Sequence, residues 1–499
     1  MPTNAGTRRP AIARSTDWVA PPPAWVVWLA LGAATLVAVG LRAASVGDQS
    51  LGYEEVFTSS IVRQGSASGV WHALRATEST PPLYYYLTWV WVRLTGDHSA
   101  VAIRTTAVLA GIATVPVVFM AMRRFVGDGL SVVVAWLCAI SPLLLEYSIY
   151  ARSYALLVLV TTLSLWALGA LLERPSPKRW AVWTLTGVVC IWTHYFAAFT
   201  LVGEAVVLFL VLPKDRAKLA LSVVAIAVAF APVWSLFRAQ SRATGRTAFI
   251  TARPLRSRLE DVARQFAMGT NVPHAWLEGA GIAATGAAVV FAAARMRRRR
   301  PARVLGLLAV IGAGLPILAA AAGVADYLLA RNIIGVLICL APLVAYGLTR
   351  WRGVPLVAYS GLCLLAVVGV QTNWRYQGSP DWAGVGALVG ARTSGEPVAV
   401  IPAMDVSVAA LYLGRAALAG SLSTRDLWVM AEPVRAAHQR ALAPLADVPL
   451  GLWGGSLRRV AEVDYRGFRL IHLHSSLPSV VAAPPPGAAG GLTPAVLAP

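Results

Sequence analysis

The chain has 499 residues, of which 57% are hydrophobic and only 13% charged. Ordinary soluble domains carry about 25% charged residues, so a soluble enzyme is excluded, and so is a soluble domain on a single anchor. The 43 Lys and Arg against 23 Asp and Glu give a net charge of +20. Most of this excess flanks apolar runs, which is the signature of membrane topology, and no nucleic-acid partner is implied.

The first residues carry Arg8, Arg9 and Arg14 and no apolar run, so residues 1–23 are expected as a cytoplasmic tail with no cleavable signal. Apolar stretches follow at 24–44, 100–122, 128–146, 153–172, 180–196, 198–213, 217–236, 276–295, 303–323, 328–348 and 354–371. They predict about eleven transmembrane helices within 24–371, with a large first outer loop at 45–99. Charge supports the parsing: alternate loops hold Arg123 and Arg124; Arg174, Lys178 and Arg179; Lys214, Arg216 and Lys218; Arg295 and Arg297 to Arg300; Arg350 and Arg352. Two places are discordant. The 237–275 loop is basic although it falls outside, and no charge separates 180–196 from 198–213.

Beyond Gln371 the composition changes, with short β-prone runs at Val398 to Ile401 and Arg469 to His472. A small extracytoplasmic α/β domain is expected over 372–481. Residues 482–499, with Pro484 to Pro486, lack apolar patterning and are expected to be disordered. Cys138, Cys190, Cys339 and Cys363 all lie in apolar stretches and read as small core residues, implying neither disulfide nor metal.

Chemistry concentrates in the first outer loop. Within Ser50 to Thr58, Tyr53-Glu54-Glu55 places two adjacent carboxylates just beyond the first span of an acid-poor protein. Taken alone, this pattern reads first as a pair of solvated surface glutamates on an interfacial helix, with a general base as the other reading. Glu78 precedes Pro81-Pro82 and the tyrosine-rich run Tyr84-Tyr85-Tyr86; alone, it reads as an acidic residue before a helix start.

Together these runs resemble the family-39-like branch of the glycosyltransferase C superfamily, which includes protein mannosyltransferases and the lipid A aminoarabinose transferase. The matching segments are Ser50 to Thr58, Glu78 to Tyr85, Arg104, the run from Ser141 through Glu146, Tyr150 and Arg152 to Leu156, and Thr193-His194-Tyr195. Arg331 after Asp326-Tyr327 resembles the family's late Tyr-x-x-x-Arg, and Asp381-Trp382 its Asp-Trp after the last span, where a structural role is expected. The resemblance implies a polyprenyl-phosphate-linked sugar as donor and an acceptor hydroxyl on a glycan, lipid or protein. It also implies an inverting displacement at the outer face of a membrane. Glu54 would be the base, with Glu55 and Glu78 positioning it or the acceptor. Arg152, Arg331 and Arg104 would contact the donor phosphate, and Tyr53, Pro81, Pro82, Tyr84, Tyr85, Tyr150, Tyr154 and His194 would line the substrate pocket.

Three positions depart from the family's pattern: Glu54 replaces its Asp, Thr80 its His before Pro-Pro, and Tyr150 its Glu before Ala-Arg. Thr80 removes a metal ligand, so no cofactor or metal site is assigned and a divalent cation is left open. No Gly-rich loop for a nucleotide-sugar appears. Two other readings stay open: a noncatalytic protein that binds the lipid-linked sugar, and a polytopic transporter. The halves show no internal repeat and the polar residues gather at the outer face, which argues against a carrier. High Ala and Arg content suggests a bacterial plasma membrane as the setting.

Overall fold

The computed structural model describes residues 22–243, 248–324, 326–393, 395–418, 421–434, 441–448, 450–453, 456–482 and 494–499. In chain order the helices are α1 (Ala24–Ser45), α2 (Tyr53–Val62), α3 (Ala67–Thr77), α4 (Leu83–Thr95), α5 (Ala100–Val126), α6 (Asp128–Ile140), α7 (Pro142–Ser148), α8 (Tyr154–Glu173), α9 (Pro177–Thr193), α10 (Ala197–Val211) and α11 (Arg216–Ser241). They continue as α12 (Ala248–Thr251), α13 (Leu255–Met268), α14 (Ala275–Met296), α15 (Arg300–Ala321), α16 (Val336–Leu348), α17 (Val354–Thr372), α18 (Trp382–Arg392) and α19 (Val406–Leu413).

Every apolar stretch read from the sequence is largely helical, but their lengths differ. Among the described residues, seven helices are long and apolar enough to cross a membrane, and the bent pair α6 and α7 makes an eighth. Helices α9, α10 and α16 have 17, 15 and 13 residues. Length and composition therefore support seven or eight spans, where eleven are expected from apolar runs alone. The 128–146 stretch is bent by 57° at Ser141-Pro142, because a residue before proline is pushed out of the helical region and Pro142 then starts a new helix that Ser141 caps. The 328–348 stretch begins as non-helical chain and a short 3₁₀ turn, leaving only α16 at its end.

The chain divides into two compact units. The first comprises residues 1–44, 61–270 and 275–365, the second residues 45–60, 271–274 and 366–499. In the first, α8 is the most enclosed of the long helices, 83% of its apolar window being buried, and it packs against α5, α9 and α10. The peripheral helices instead expose Leu36, Leu221, Val228, Val290 and Val310, the face a helix presents to hydrocarbon. Polar side chains tie the interior helices. Glu204 of α10 is fully buried and accepts from Ser164 Oγ of α8 at 2.6 Å and Trp183 Nε1 of α9 at 2.7 Å. At the end of α5, Arg123 pairs with Asp128 at 3.0 Å and Arg124 with Glu173, fixing one basic loop.

The second unit is built on a five-stranded mixed sheet of order β3-β4-β2-β1-β5, with β1 (Val398–Ile401), β2 (Ser421–Ala431), β3 (Arg458–Tyr465), β4 (Phe468–Ala482) and β5 (Ala495–Leu497). Strand β1 runs parallel to β2, the crossover being α19, and the other pairs are antiparallel. Its buried core includes Ile401, Val429, Trp453, Ile471, Leu473 and Val496. The expected α/β domain is thus present, and it is larger than 372–481. It takes in residues 45–60, and it ends in β5, which corrects the reading of 482–499 as disordered throughout. Val496 and Leu497 are fully buried beside β1, in a strand of three residues that is too short to show alternation. The rest of that expectation, 483–493, and most of the expected cytoplasmic tail, 1–21, lie outside the described residues.

Candidate active site

In the first unit, α3 ends at Glu78, whose extended backbone turns the chain out of the helix while its N–H still bonds Leu74 O. Pro81 and Pro82 follow and α4 begins at Leu83, since proline lacks only a donor that the first turn would leave unpaired. This short corner carries Glu78 and Thr80. Thr80 Oγ1 shares a hydrogen bond of 2.9 Å with Tyr85 Oη, and Tyr84 and Tyr85 are fully buried. Burial, opposed by the charge of Arg152, raises the Tyr85 hydroxyl well above the usual tyrosine range, so it stays a neutral donor.

Arg152 lies in the tight turn between α7 and α8, where its N–H bonds Tyr150 O at 2.6 Å. Its guanidinium pairs with Glu78, and the side chains are only 9% and 1% exposed. It also stands 5.9 Å from the Tyr85 ring centroid. A second guanidinium, Arg331 in the 3₁₀ turn Ala330–Ile333, lies 5.5 Å from the Tyr154 ring centroid. Tyr154 in turn approaches Tyr147 at 5.0 Å and His194 at 5.7 Å between centroids. His194 Nδ1 accepts from Phe196 N at 3.2 Å, which leaves the proton on Nε2 of the neutral ring. Both Arg152 and Arg331 act on His194 electrostatically. Sequence-distant Glu78, Thr80, Tyr85, Arg152, Tyr154, His194 and Arg331 therefore form one network, with Tyr150 joining through Tyr147 at 6.3 Å. Arg104 is buried in the first turns of α5.

Two residues of this network were not singled out from the sequence. Gln240, near the end of α11, donates from Nε2 to Thr80 O at 3.1 Å and Leu74 O at 3.4 Å and accepts from Tyr195 Oη at 2.8 Å. It straps down the Glu78 corner. An amide at the end of an apolar helix is its only sequence signal. Arg258 of α13 forms a two-pronged pair with Asp326, its Nη2 lying 2.6 Å from Oδ2, and so anchors the segment that leads to Arg331. These bonds from Arg258 hold the Asp326 carboxyl below its ordinary range, against the opposing effect of burial.

Tyr53, Glu54 and Glu55 belong to the second unit, where residues 45–52 are latched to the sheet domain. Ser50 Oγ accepts from Ala383 N of α18 at 2.9 Å, Leu51 N donates to Tyr412 Oη of α19 at 2.6 Å, and Gly378 N donates to Gln49 Oε1 at 3.2 Å. Glu55 is buried and its Oε2 accepts from Gly52 N at 2.9 Å, capping the start of α2. Its neighbour Glu54 is half-exposed. Thus the paired glutamates separate into a cap and an accessible carboxylate. Burial, then the nearby charges of Asp405 and Glu54, raise the Tyr53 hydroxyl. Asp381 caps α18 through Gly384 N at 2.9 Å and accepts from Tyr465 Oη at 2.9 Å and Arg466 Nη1 at 2.7 Å. Trp382 packs on Phe468 at 4.9 Å. Asp381-Trp382 is therefore structural.

Comparison with known proteins agrees with the motifs. Residues 79–236 match the family model of dolichyl-phosphate-mannose-protein mannosyltransferases. Among solved structures, ArnT from Cupriavidus metallidurans in the apo state is 16% identical, with a TM-score of 0.56 over 90% of this chain and 97% of that one. The same protein bound to undecaprenyl phosphate gives 16% and 0.54, over 90% and 98%. The apo oligosaccharyltransferase of Archaeoglobus fulgidus is 14% identical, with a TM-score of 0.48 over 74% and 58%. A comparison with curated protein sequences finds no match. The fold is that of a multi-pass membrane protein of the ArnT type. The resemblance to the glycosyltransferase C superfamily, read first from the motifs, is borne out by the family model and the fold together.

Proposed function

We propose that this protein transfers a sugar from a polyprenyl-phosphate donor to an acceptor hydroxyl at the outer face of a bacterial plasma membrane, by a single inverting displacement. The observation that carries the reading is the Arg152 network. A guanidinium held in place by Glu78 beside the Tyr85 ring, with Arg331 against the Tyr154 ring and both arginines acting on His194, is suited to a phosphate that arrives within the bilayer. The match to a mannosyltransferase family model and the likeness to a structure holding undecaprenyl phosphate support the same donor class.

In the reaction Glu54 takes the proton of the acceptor hydroxyl, and the oxygen attacks the anomeric carbon. The bond from that carbon to the phosphate oxygen breaks, its electron pair staying on the phosphate. The polyprenyl phosphate thereby gains one negative charge, which Arg152 and Arg331 stabilise as it develops. Glu55 positions the base by capping the helix that bears it, and Glu78 positions Arg152. The acceptor is a glycan, lipid or protein hydroxyl.

The test is release of polyprenyl phosphate from a panel of radiolabelled polyprenyl-phosphate sugars, using purified protein in lipid with candidate acceptors. Wild type is expected to turn over one donor. Glu54→Gln should bind that donor yet lose about 10²–10⁴-fold in rate, the usual worth of a general base. Donor binding without product from wild type under any acceptor supports the noncatalytic lipid-linked-sugar reading instead.

A further inference from the structure

The sheet of the second unit carries a cluster that the transferase reading does not use. Strands β2 and β4 pair so that Asp426 faces His474 and Trp428 faces His472. Because side chains alternate across a strand, all four lie on one face. Asp426 Oδ1 accepts from His472 Nε2 at 3.0 Å and from His474 Nδ1 at 2.8 Å. From the segment just before β1, Glu396 reaches the same face and accepts from Trp428 Nε1 at 2.6 Å. The ligand atoms of Glu396, Asp426 and His472 all lie within 4.8 Å of one another.

Three features make this more than a patch of surface charge. The register shifts between Thr424 and Asp426, and Thr424 Oγ1 bonds both the N–H and the carbonyl of Asp426, at 3.2 and 2.8 Å. Such a bulge re-aims a side chain and fixes it. Trp428 stacks flat on His472, with ring centroids 4.7 Å apart and planes 3° from parallel, so the imidazole plane is held. The same indole N–H orients the Glu396 carboxylate. A neutral hydrogen-bond donor that aims a ligand, and a ring that is locked in plane, are the supports metal sites use outside their ligands.

We propose that Glu396, Asp426 and His472 form a zinc site, with His474 steadying Asp426 from outside. A mixed imidazole and carboxylate set suits zinc, whose bonds of about 2.0–2.2 Å place ligand atoms roughly 3.3–3.5 Å apart in a tetrahedron. Two carboxylates balance the charge of the ion, and the fourth position is left to water. His472 must present Nε2 to the ion as a lone pair, so in the metal-bound form the ring proton sits on Nδ1. The ion would clamp the segment before β1 to β2 and β4. Neighbouring positive charges include Arg458, which lies opposite His474 in the register of β3 and β4, and Arg415, whose guanidinium donates to the Glu396 carbonyl.

The experiment takes the full-length protein, purified with a histidine-free tag in lipid nanodiscs, stripped with EDTA and titrated with zinc chloride. Wild type is expected to keep one equivalent of zinc through desalting and to melt at higher temperature with it. His472→Gln and Asp426→Asn should each lose at least tenfold in affinity and the thermal gain, while His72→Ala, on the exposed side of α3, should lose neither. Cobalt should give a visible absorption band in wild type that His472→Gln removes. If a variant fails to fold, as judged by the melting of its metal-free form, Glu396→Gln replaces it. Retention of zinc by His472→Gln at wild-type affinity, or no zinc on wild type after desalting, overturns the site and leaves Asp426 as the hydrogen-bonded partner of two histidines.

Discussion

Replacing Glu78 by Gln tests the centre of the candidate site most directly, because it removes one charge and almost no volume. Exposed ion pairs are worth about 0.2–1 kcal/mol, but that range belongs to side chains in water. Here the partners are 1% and 9% exposed, so Glu78→Gln leaves the Arg152 guanidinium buried without its counter-charge. Breaking a buried pair from one side costs about 3–5 kcal/mol. The expected loss is of this size for Glu78→Gln and for Arg152→Gln, measured by equilibrium unfolding in one detergent. The double variant Glu78→Gln/Arg152→Gln carries no orphaned charge, so it should lose less than the two singles together, with a coupling of about 2 kcal/mol. Additive losses, or a Glu78→Gln protein within about 0.5 kcal/mol of wild type, would refute a buried pair. The same variants separate stability from function: if Glu78 serves by holding Arg152, Arg152→Gln loses donor affinity in full and Glu78→Gln loses part of it.

Gln240→Ala removes both amide bonds to the Glu78 corner and leaves the Tyr195 hydroxyl without its acceptor; the expected cost is about 1–3 kcal/mol in the unfolding assay, with donor affinity reduced as well. In the sheet domain, burial and then the bond and charge of Asp405 push the Glu432 carboxyl well up, and burial raises Asp405 too. The folded pair thus holds protons that the unfolded chain releases in the ordinary carboxylate range. Its stabilisation is complete below that range and drains away as pH rises through neutrality towards the raised folded values, by at most about 1.4 kcal/mol per pH unit for each proton. Thermal melts across pH should show Glu432→Gln flattening this alkaline decline, and an unchanged decline would remove the pair as its cause.

Much of this was written in the sequence. Apolar runs and basic loops located the helices, since only a hydrogen-bonded helix can carry so many apolar residues through hydrocarbon. The residues of the Arg152 network could be named from their runs only through the resemblance to a known family, because the corner Glu78 to Pro82 by itself reads as an ordinary helix start. The span count was not legible in the same way, because apolar composition is alike for a crossing helix, a bent pair and a buried short helix. The two adjacent carboxylates, Glu54 and Glu55, were told apart in the sequence only through the family resemblance; the physical difference is the bond from Gly52 N, which makes Glu55 a cap and leaves Glu54 accessible. Gln240, Arg258 and the Glu396, Asp426 and His472 cluster were likewise decided by tertiary structure. Each acts on a partner at least thirty residues away, and pairing over such distances is set by packing and strand register, which no local pattern encodes.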